Sequence, residues 1–152
     1  MGAYQYAEII DRHLNSCEFL DDRPGRHSKV QIPEDNPNAF FWKEKFYFRD
    51  NKVLTVTDID TFDADGDMLE RDFAYDFRER GGAHPIWRVC NHCTKQSVDA
   101  PCHVHVEHDD NVIECFPDSS KTDFTYAIHC IKNFYLGKPQ EWEEGGECEP
   151  GI

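Results

Sequence analysis

The stretch from Phe40 to Arg80 is written in a period of two. In FFWKEKFYFRD, KVLTVTDID and RDFAYDFRER, aromatic and β-branched residues recur at alternate positions, with Phe73, Tyr75 and Phe77 set against charges. Successive side chains of an extended chain point to opposite faces, so this pattern demands strands with one apolar face. Arg49-Asp50-Asn51-Lys52 separates the first two runs and suits a tight hairpin, and DADGD separates the second from the third. HPIWRVCN follows Gly81-Gly82, while HVHVEH and VIECF flank Asp109-Asp110-Asn111. Together these segments predict an antiparallel meander of about five to six strands. One further short strand is expected around Val30 to Ile32, within an otherwise irregular connection over residues 21 to 38.

Helices are expected on either side of the strands. Between residues 4 and 20, Tyr6, Ile9, Ile10, Leu14, Cys17 and Leu20 recur at spacings of three and four, the mark of an amphipathic helix. Cys17 then reads as a core residue beside His13 rather than as half of a metal site. A closing helix over 120–136 carries the stripe Phe124, Ala127, Ile128, Ile131 and Phe134, with Asp118-Ser119-Ser120 able to cap it. A chain of 152 residues suits one domain. The expected class is α+β: an N-terminal helix, the meander, and a C-terminal helix packed on the sheet, all within 1–136, followed by an acidic, flexible tail over 137–152.

The aspartates of DIDTFDADGD suggest calcium, but the spacing fails. Counting from Asp63, position six is Met68 where an EF-hand loop needs Gly, and position twelve is Ala74 where it needs Glu. The segment reads as a solvated Asp-Gly turn.

Acidic residues outnumber basic ones 30 to 16, giving a formal charge of -14. That balance opposes non-specific attraction to nucleic acid or to an anionic membrane, so a nucleic-acid enzyme of this composition needs a local basic or His-lined patch. The start MGAYQYAEIID lacks the cationic residues of a secretory signal, and no apolar run approaches the roughly 18 residues that cross a bilayer. A cytoplasmic protein with no membrane partner is expected. There, an odd count of seven cysteines reads as thiols or metal ligands rather than a disulfide framework.

The densest chemistry lies in RVCNHCTKQSVDAPCHVHVEH, residues 88–108, with three cysteines and four histidines. Cys90-x2-Cys93 is the knuckle spacing that presents two thiolates from one turn, and Cys102 with His103 or His105 can complete a structural zinc site. If 102–107 is extended, His103, His105 and Glu107 share a face while Cys102 points the other way with Val104 and Val106. A site using Cys102 together with the histidines therefore requires the strand to begin after it. On the preceding strand Ile86, Arg88 and Cys90 share one face, and Trp87 and Val89 the other. A second reading is catalytic: Arg88 to hold an anion, with His92, His103 and His105 to take and give protons, is the minimum kit for metal-free cleavage of an RNA phosphodiester. A third is metal-dependent hydrolysis at an open His-rich site. Any single one of these histidines, taken alone, reads as an ordinary surface residue.

From Lys45 to Phe134, about ninety of the 152 residues, the sequence resembles the TumE-type toxins of type II toxin-antitoxin systems. Those proteins carry a run of strands ending in R-x-D-N, a short His-bearing loop, P-H-H-x-H and a closing helix. The matching stretches are Arg88-Val89-Cys90-Asn91 with His92, and Pro101-Cys102-His103-Val104-His105. KFYFRDNKVLTVTDIDTF resembles the first hairpin, and DDNVIECFPDS leads similarly into the final helix. The resemblance implies a curved sheet, an endoribonuclease acting on RNA or translation, and a cognate antitoxin as partner; a homodimer is a compatible state. In these terms Arg88 holds the phosphate, Asn91 orients a neighbour, and His92, His103 and His105 supply acid and base.

Cysteine replaces the family's Asp at 90 and its first His at 102, and Cys93 is added, so this chain is expected to recruit structural zinc through Cys90, Cys93, Cys102 and His103 or His105. Such a site would contribute on the order of 10 kcal/mol to folding. From a different functional class, the chain also fits a non-catalytic, zinc-stabilised acidic adaptor or inhibitor that mimics nucleic acid and binds a basic protein.

Overall fold

The computed structural model describes residues 2–21, 29–90, 103–108, 111–116, 123–140 and 147–150. Helix α1 is Ala3–Ser16 and helix α2 is Phe124–Leu136. The strands are β1 (Ala39–Phe48), β2 (Lys52–Phe62), β3 (Met68–Glu79), β4 (Trp87–Cys90), β5 (His103–His108), β6 (Asn111–Phe116) and β7 (Glu147–Pro150). They pair antiparallel in chain order, so the architecture is α+β, a helix followed by an antiparallel meander, as the sequence pattern requires. Against the five to six strands expected, the pairing order runs through seven. The addition is β7, which pairs with β6 inside the segment read as a tail. The strand expected at Val30 to Ile32 shrinks to a single bridge between Gln31 and Phe41. No described helix is long and apolar enough to cross a membrane.

The β1–β2 hairpin turns at Asp50 and Asn51, whose φ values of 58° and 61° lie in the left-handed region that Asn and Asp tolerate best among residues with a side chain. From this hairpin the period-two pattern sets the faces. Phe40, Trp42, Phe46 and Phe48 of β1, Leu54 and Val56 of β2, and Phe73, Tyr75 and Phe77 of β3 all point to one side. There they meet Tyr6, Ile10 and Leu14 of α1 and Phe124, Ala127, Ile128 and Ile131 of α2 in a single core. Trp42 sits at its centre, edge-on to Phe46 at 5.9 Å and to Phe124 at 4.8 Å. Fully burying side chains of this size stabilises by roughly 1.5–3 kcal/mol each. Glu44 breaks the inward pattern of β1, but its carboxylate accepts hydrogen bonds from the Trp42 indole at 2.9 Å and the Lys29 backbone N–H at 2.8 Å. The charge is thereby satisfied and holds the segment before β1 against the sheet.

Two aspartates overturn the sequence reading of DIDTFDADGD. Asp63 behaves as expected: its Oδ1 accepts from the N–H groups of Asp65 and Asp67, closing a turn around Gly66. Asp58 and Asp60, by contrast, lie on the inward face of β2 and are 0% and 1% exposed. Tyr6 and Tyr75 donate their hydroxyls to Asp58 Oδ2. Arg71 Nε donates to Asp60 Oδ1 at 3.0 Å, and the Phe124 N–H at the start of α2 donates to Tyr6 Oη at 3.0 Å. A polar knot thus ties both helices to β2 and β3 through the middle of an aromatic core. Burial, with a hydrogen bond and repulsion from Asp58, pushes the Asp60 carboxyl up to about 8. Asp60 is therefore protonated near neutral pH. Burial, with Asp58 beside them, also pushes the Tyr6 and Tyr75 phenols well above their usual range.

Helix α2 begins later than expected. Its N-cap is Asp123, whose Oδ1 accepts from the N–H groups of Thr125 and Tyr126, rather than Asp118-Ser119-Ser120, which lie outside the described residues. Gly137, at φ 67°, closes the helix in the left-handed conformation that glycine adopts without penalty. Asp123→Ala is expected to cost about 1 kcal/mol of stability, read as a lower urea midpoint at unchanged slope.

Candidate functional site

Both helices pack on one face of the sheet, and the candidate site lies on the other. The pairing registers align residues across this open face in rungs. One rung runs Lys45, Thr55, Asp76, Arg88, His105, Glu114, from β1 to β6. The next runs Lys43, Thr57, Ala74, Cys90, His103. Trp87 and Val89, 1% and 0% exposed, and Val106, packed against the core, fix the opposite parity of β4 and β5. Arg88, Cys90, His103 and His105 therefore occupy register positions on the open face, with Arg88 directly opposite His105 and Cys90 directly opposite His103.

The centre of this face is a basic depression of about 530 Å³, whose lining includes Lys45, Tyr47, Asp76, Arg78, Arg80 and Arg88. Four cations and one carboxylate meet there, in a chain whose formal charge is -14. Asp76 is the organiser. It takes a two-pronged hydrogen bond from Arg78, at 2.6 and 2.7 Å, and lies 3.8 Å from an Arg88 nitrogen. The hydrogen bond to Asp76 holds Arg78 firmly charged, and Arg78 also donates to the Gly82 carbonyl at 3.2 Å. The turn is close-packed at Gly82, where a Cβ would stand 3.0 Å from the Glu79 carbonyl oxygen and the backbone would have to give by a few tenths of an ångström. Arg80 stacks over Tyr47 with its guanidinium carbon 4.5 Å from the ring centroid. Arranged in this way, the surface can hold a phosphate or another anion on its guanidinium groups, beside two histidine positions able to exchange protons.

Of the residues singled out from sequence, Arg88, Cys90, His103 and His105 are brought onto neighbouring rungs. Asn91, His92, Cys93 and Cys102 lie outside the described residues. Strand β5 is described from His103 to His108. Cys90 is a buried thiol, 1% exposed, and not in a disulfide. Among the described residues no group of three or more His, Cys, Asp or Glu converges as a metal site.

Sequence reasoning passed over Lys45, Tyr47, Asp76, Arg78 and Arg80. Their signal was present: in RDFAYDFRER the residues between Phe73, Tyr75 and Phe77 must face away from the core, so Ala74, Asp76 and Arg78 share the face of Arg88 once the strands pair. No protein-family model, curated protein or solved structure matches the chain.

Proposed function

We propose that the protein is a toxin-like endoribonuclease of a toxin-antitoxin pair, acting on RNA at the β4–β5 end of the open face and neutralised by a cognate antitoxin. The observation that carries this reading is the register that sets Arg88 opposite His105 and Cys90 opposite His103 on a basic sheet surface. In the reaction, one of His103 and His105 takes the proton of the attacking 2′-hydroxyl. The other, or His92, gives a proton to the departing 5′-oxygen. Arg88 holds the non-bridging oxygens as negative charge builds on them, and Asn91 orients a neighbouring group. Expression in a host cell is expected to arrest growth. Co-expression of the adjacent gene, or the double change His103→Ala and His105→Ala, is expected to restore it. Equal growth in every arm would remove the proposal.

A second reading rests on the pairing of Cys90 with His103 at the strand ends. Cys90, Cys93, Cys102 and one of His103 and His105 would hold a structural zinc, which fixes the ends of β4 and β5 and supplies no open position for water. If the growth assay is silent and the purified protein carries one zinc per chain, the zinc-stabilised adaptor replaces the enzyme.

A further inference from the structure

The basic depression at Arg88 does not stand alone on the open face. A second depression, about 660 Å³, shares Lys45, Tyr47, Thr55 and Thr57 with it and adds Lys43. A third, about 570 Å³, shares Lys29 and Lys43 with the second and adds Phe41 and Ile59. The three form one trough along β1 and β2, from Arg88 at one end to Phe41 at the other. Two large rings lie along it, Phe41 at 44% exposure and Tyr47 at 37%, six residues apart on the same side of β1. That spacing is about 20 Å in an extended strand, the reach of a few nucleotides. Outward-facing Lys43 and Lys45 lie between the rings, and Arg78, Arg80 and Arg88 continue the charge. Carboxylates share this face: Asp76, already engaged by Arg78 and Arg88, the exposed Asp72, and register positions Glu70, Glu107 and Glu114, while Glu44, which accepts from Trp42 and Lys29, lines the second depression.

We infer that this trough binds single-stranded nucleic acid, with bases stacking on Tyr47 and Phe41 and phosphates following Lys43, Lys45 and Arg80 toward Arg88. The inference rests on the ribonuclease reading for the direction of the track, but the binding itself is argued from the trough. Alternating rings and cations suit a ligand that alternates flat bases with phosphates. A carboxylate-rich peptide or an anionic membrane would use the cations and leave the rings without a role. A duplex, whose bases are stacked inside, offers nothing to the rings either.

The test uses a fluorescein-labelled single-stranded oligodeoxynucleotide, which lacks the 2′-hydroxyl and so survives cleavage by this route, with anisotropy read across a salt series. The full chain is expected to bind it in preference to the duplex, with affinity falling steeply as salt rises. Tyr47→Ala is expected to weaken binding about tenfold with little change in the salt slope. Lys43→Gln with Lys45→Gln is expected to lower both affinity and slope. These are outward-facing positions, and circular dichroism checks that each variant is folded. Binding that is absent, or indifferent to Tyr47, Lys43 and Lys45, overturns the inference. So does equal binding of poly-glutamate or of vesicles containing phosphatidylserine. Growth arrest without this binding would sink the track and leave the enzyme reading standing; the binding without growth arrest would do the reverse.

Discussion

Replacing Arg71 by methionine is expected to destabilise the fold by about 3–5 kcal/mol near pH 9, and by much less near pH 5. Arg71 is the cation of the buried knot. Its Nη2 donates to Tyr75 at 3.1 Å and lies 3.5 Å from Asp58, while its Nε donates to Asp60 at 3.0 Å. Its guanidinium also lies 4.0 Å over the Phe73 ring. Methionine keeps the apolar stem and much of that contact, so the loss isolates the charge. Near pH 9 the variant would have to bury two carboxylates with no cation between them. As the pH falls through about 8, Asp60 takes up a proton and the cost shrinks.

The wild type should show a related slope of its own. Asp60 is raised from its ordinary 3.8 to about 8, so between those values the folded chain keeps a proton that the unfolded chain releases. Stability linked to Asp60 is therefore whole below about pH 4 and is lost progressively as pH rises through 8, at up to about 1.4 kcal/mol per unit. Asp60→Asn removes the titrating group. It is expected to flatten this part of the profile and to be more stable than the wild type near pH 9. Urea unfolding at a series of pH values measures both effects. A wild-type profile as flat as that of Asp60→Asn would show that the carboxyl is ionised throughout.

The second large effect is functional. On a labelled single-stranded RNA, Arg88→Ala is expected to lower cleavage by roughly 10²–10³, the usual loss when one preorganised donor to a developing charge is removed. His103→Ala and His105→Ala should each lower it by roughly 10²–10⁴. Combining the three should cost far less than the product, because the groups act in one event. The Arg88 side chain is 34% exposed and pairs loosely with Asp76, so the fold should survive its loss. Arg88→Lys should recover only part of the rate, since an ammonium cannot offer two parallel donors. Turnover unchanged in Arg88→Ala would remove the residue from the chemistry.

What the sequence revealed and what it hid follow from how local each signal is. The alternation of Phe73, Tyr75 and Phe77, the turn at Asp50-Asn51 and the stripe of Tyr6, Ile10 and Leu14 are each decided within one element, and each reads correctly. The parity of Arg88 and Cys90 against Trp87 and Val89 was legible for the same reason. Asp58 and Asp60 were not. By hydropathy alone they belong with the solvated aspartates that follow them, and their place in the core is fixed by Arg71, Tyr6 and Tyr75, up to 52 residues away in the chain. The basic trough was half legible. Each outward cation of β1 and β3 could be assigned to a face, but only the registers show that Lys45, Asp76 and Arg88 fall on one line. A net charge of -14 meanwhile opposed nucleic acid over the surface as a whole and made a local basic patch the requirement, without saying where it lies. The roles proposed for Arg88 and the histidines came from their chemistry, a fixed cation beside groups that exchange protons near neutral pH, which spacing alone does not give.

The site depends on the register of β4 against β5, because a slip of one residue would carry His103 and His105 to the face that the helices cover. Cross-strand nuclear Overhauser effects between backbone protons of the isotope-labelled protein test it directly. The expected result is proximity of Arg88 to His105 and of Cys90 to His103. Proximity of Arg88 to Val104 or Val106 instead would contradict it, and would take the histidines away from the guanidinium they are proposed to serve.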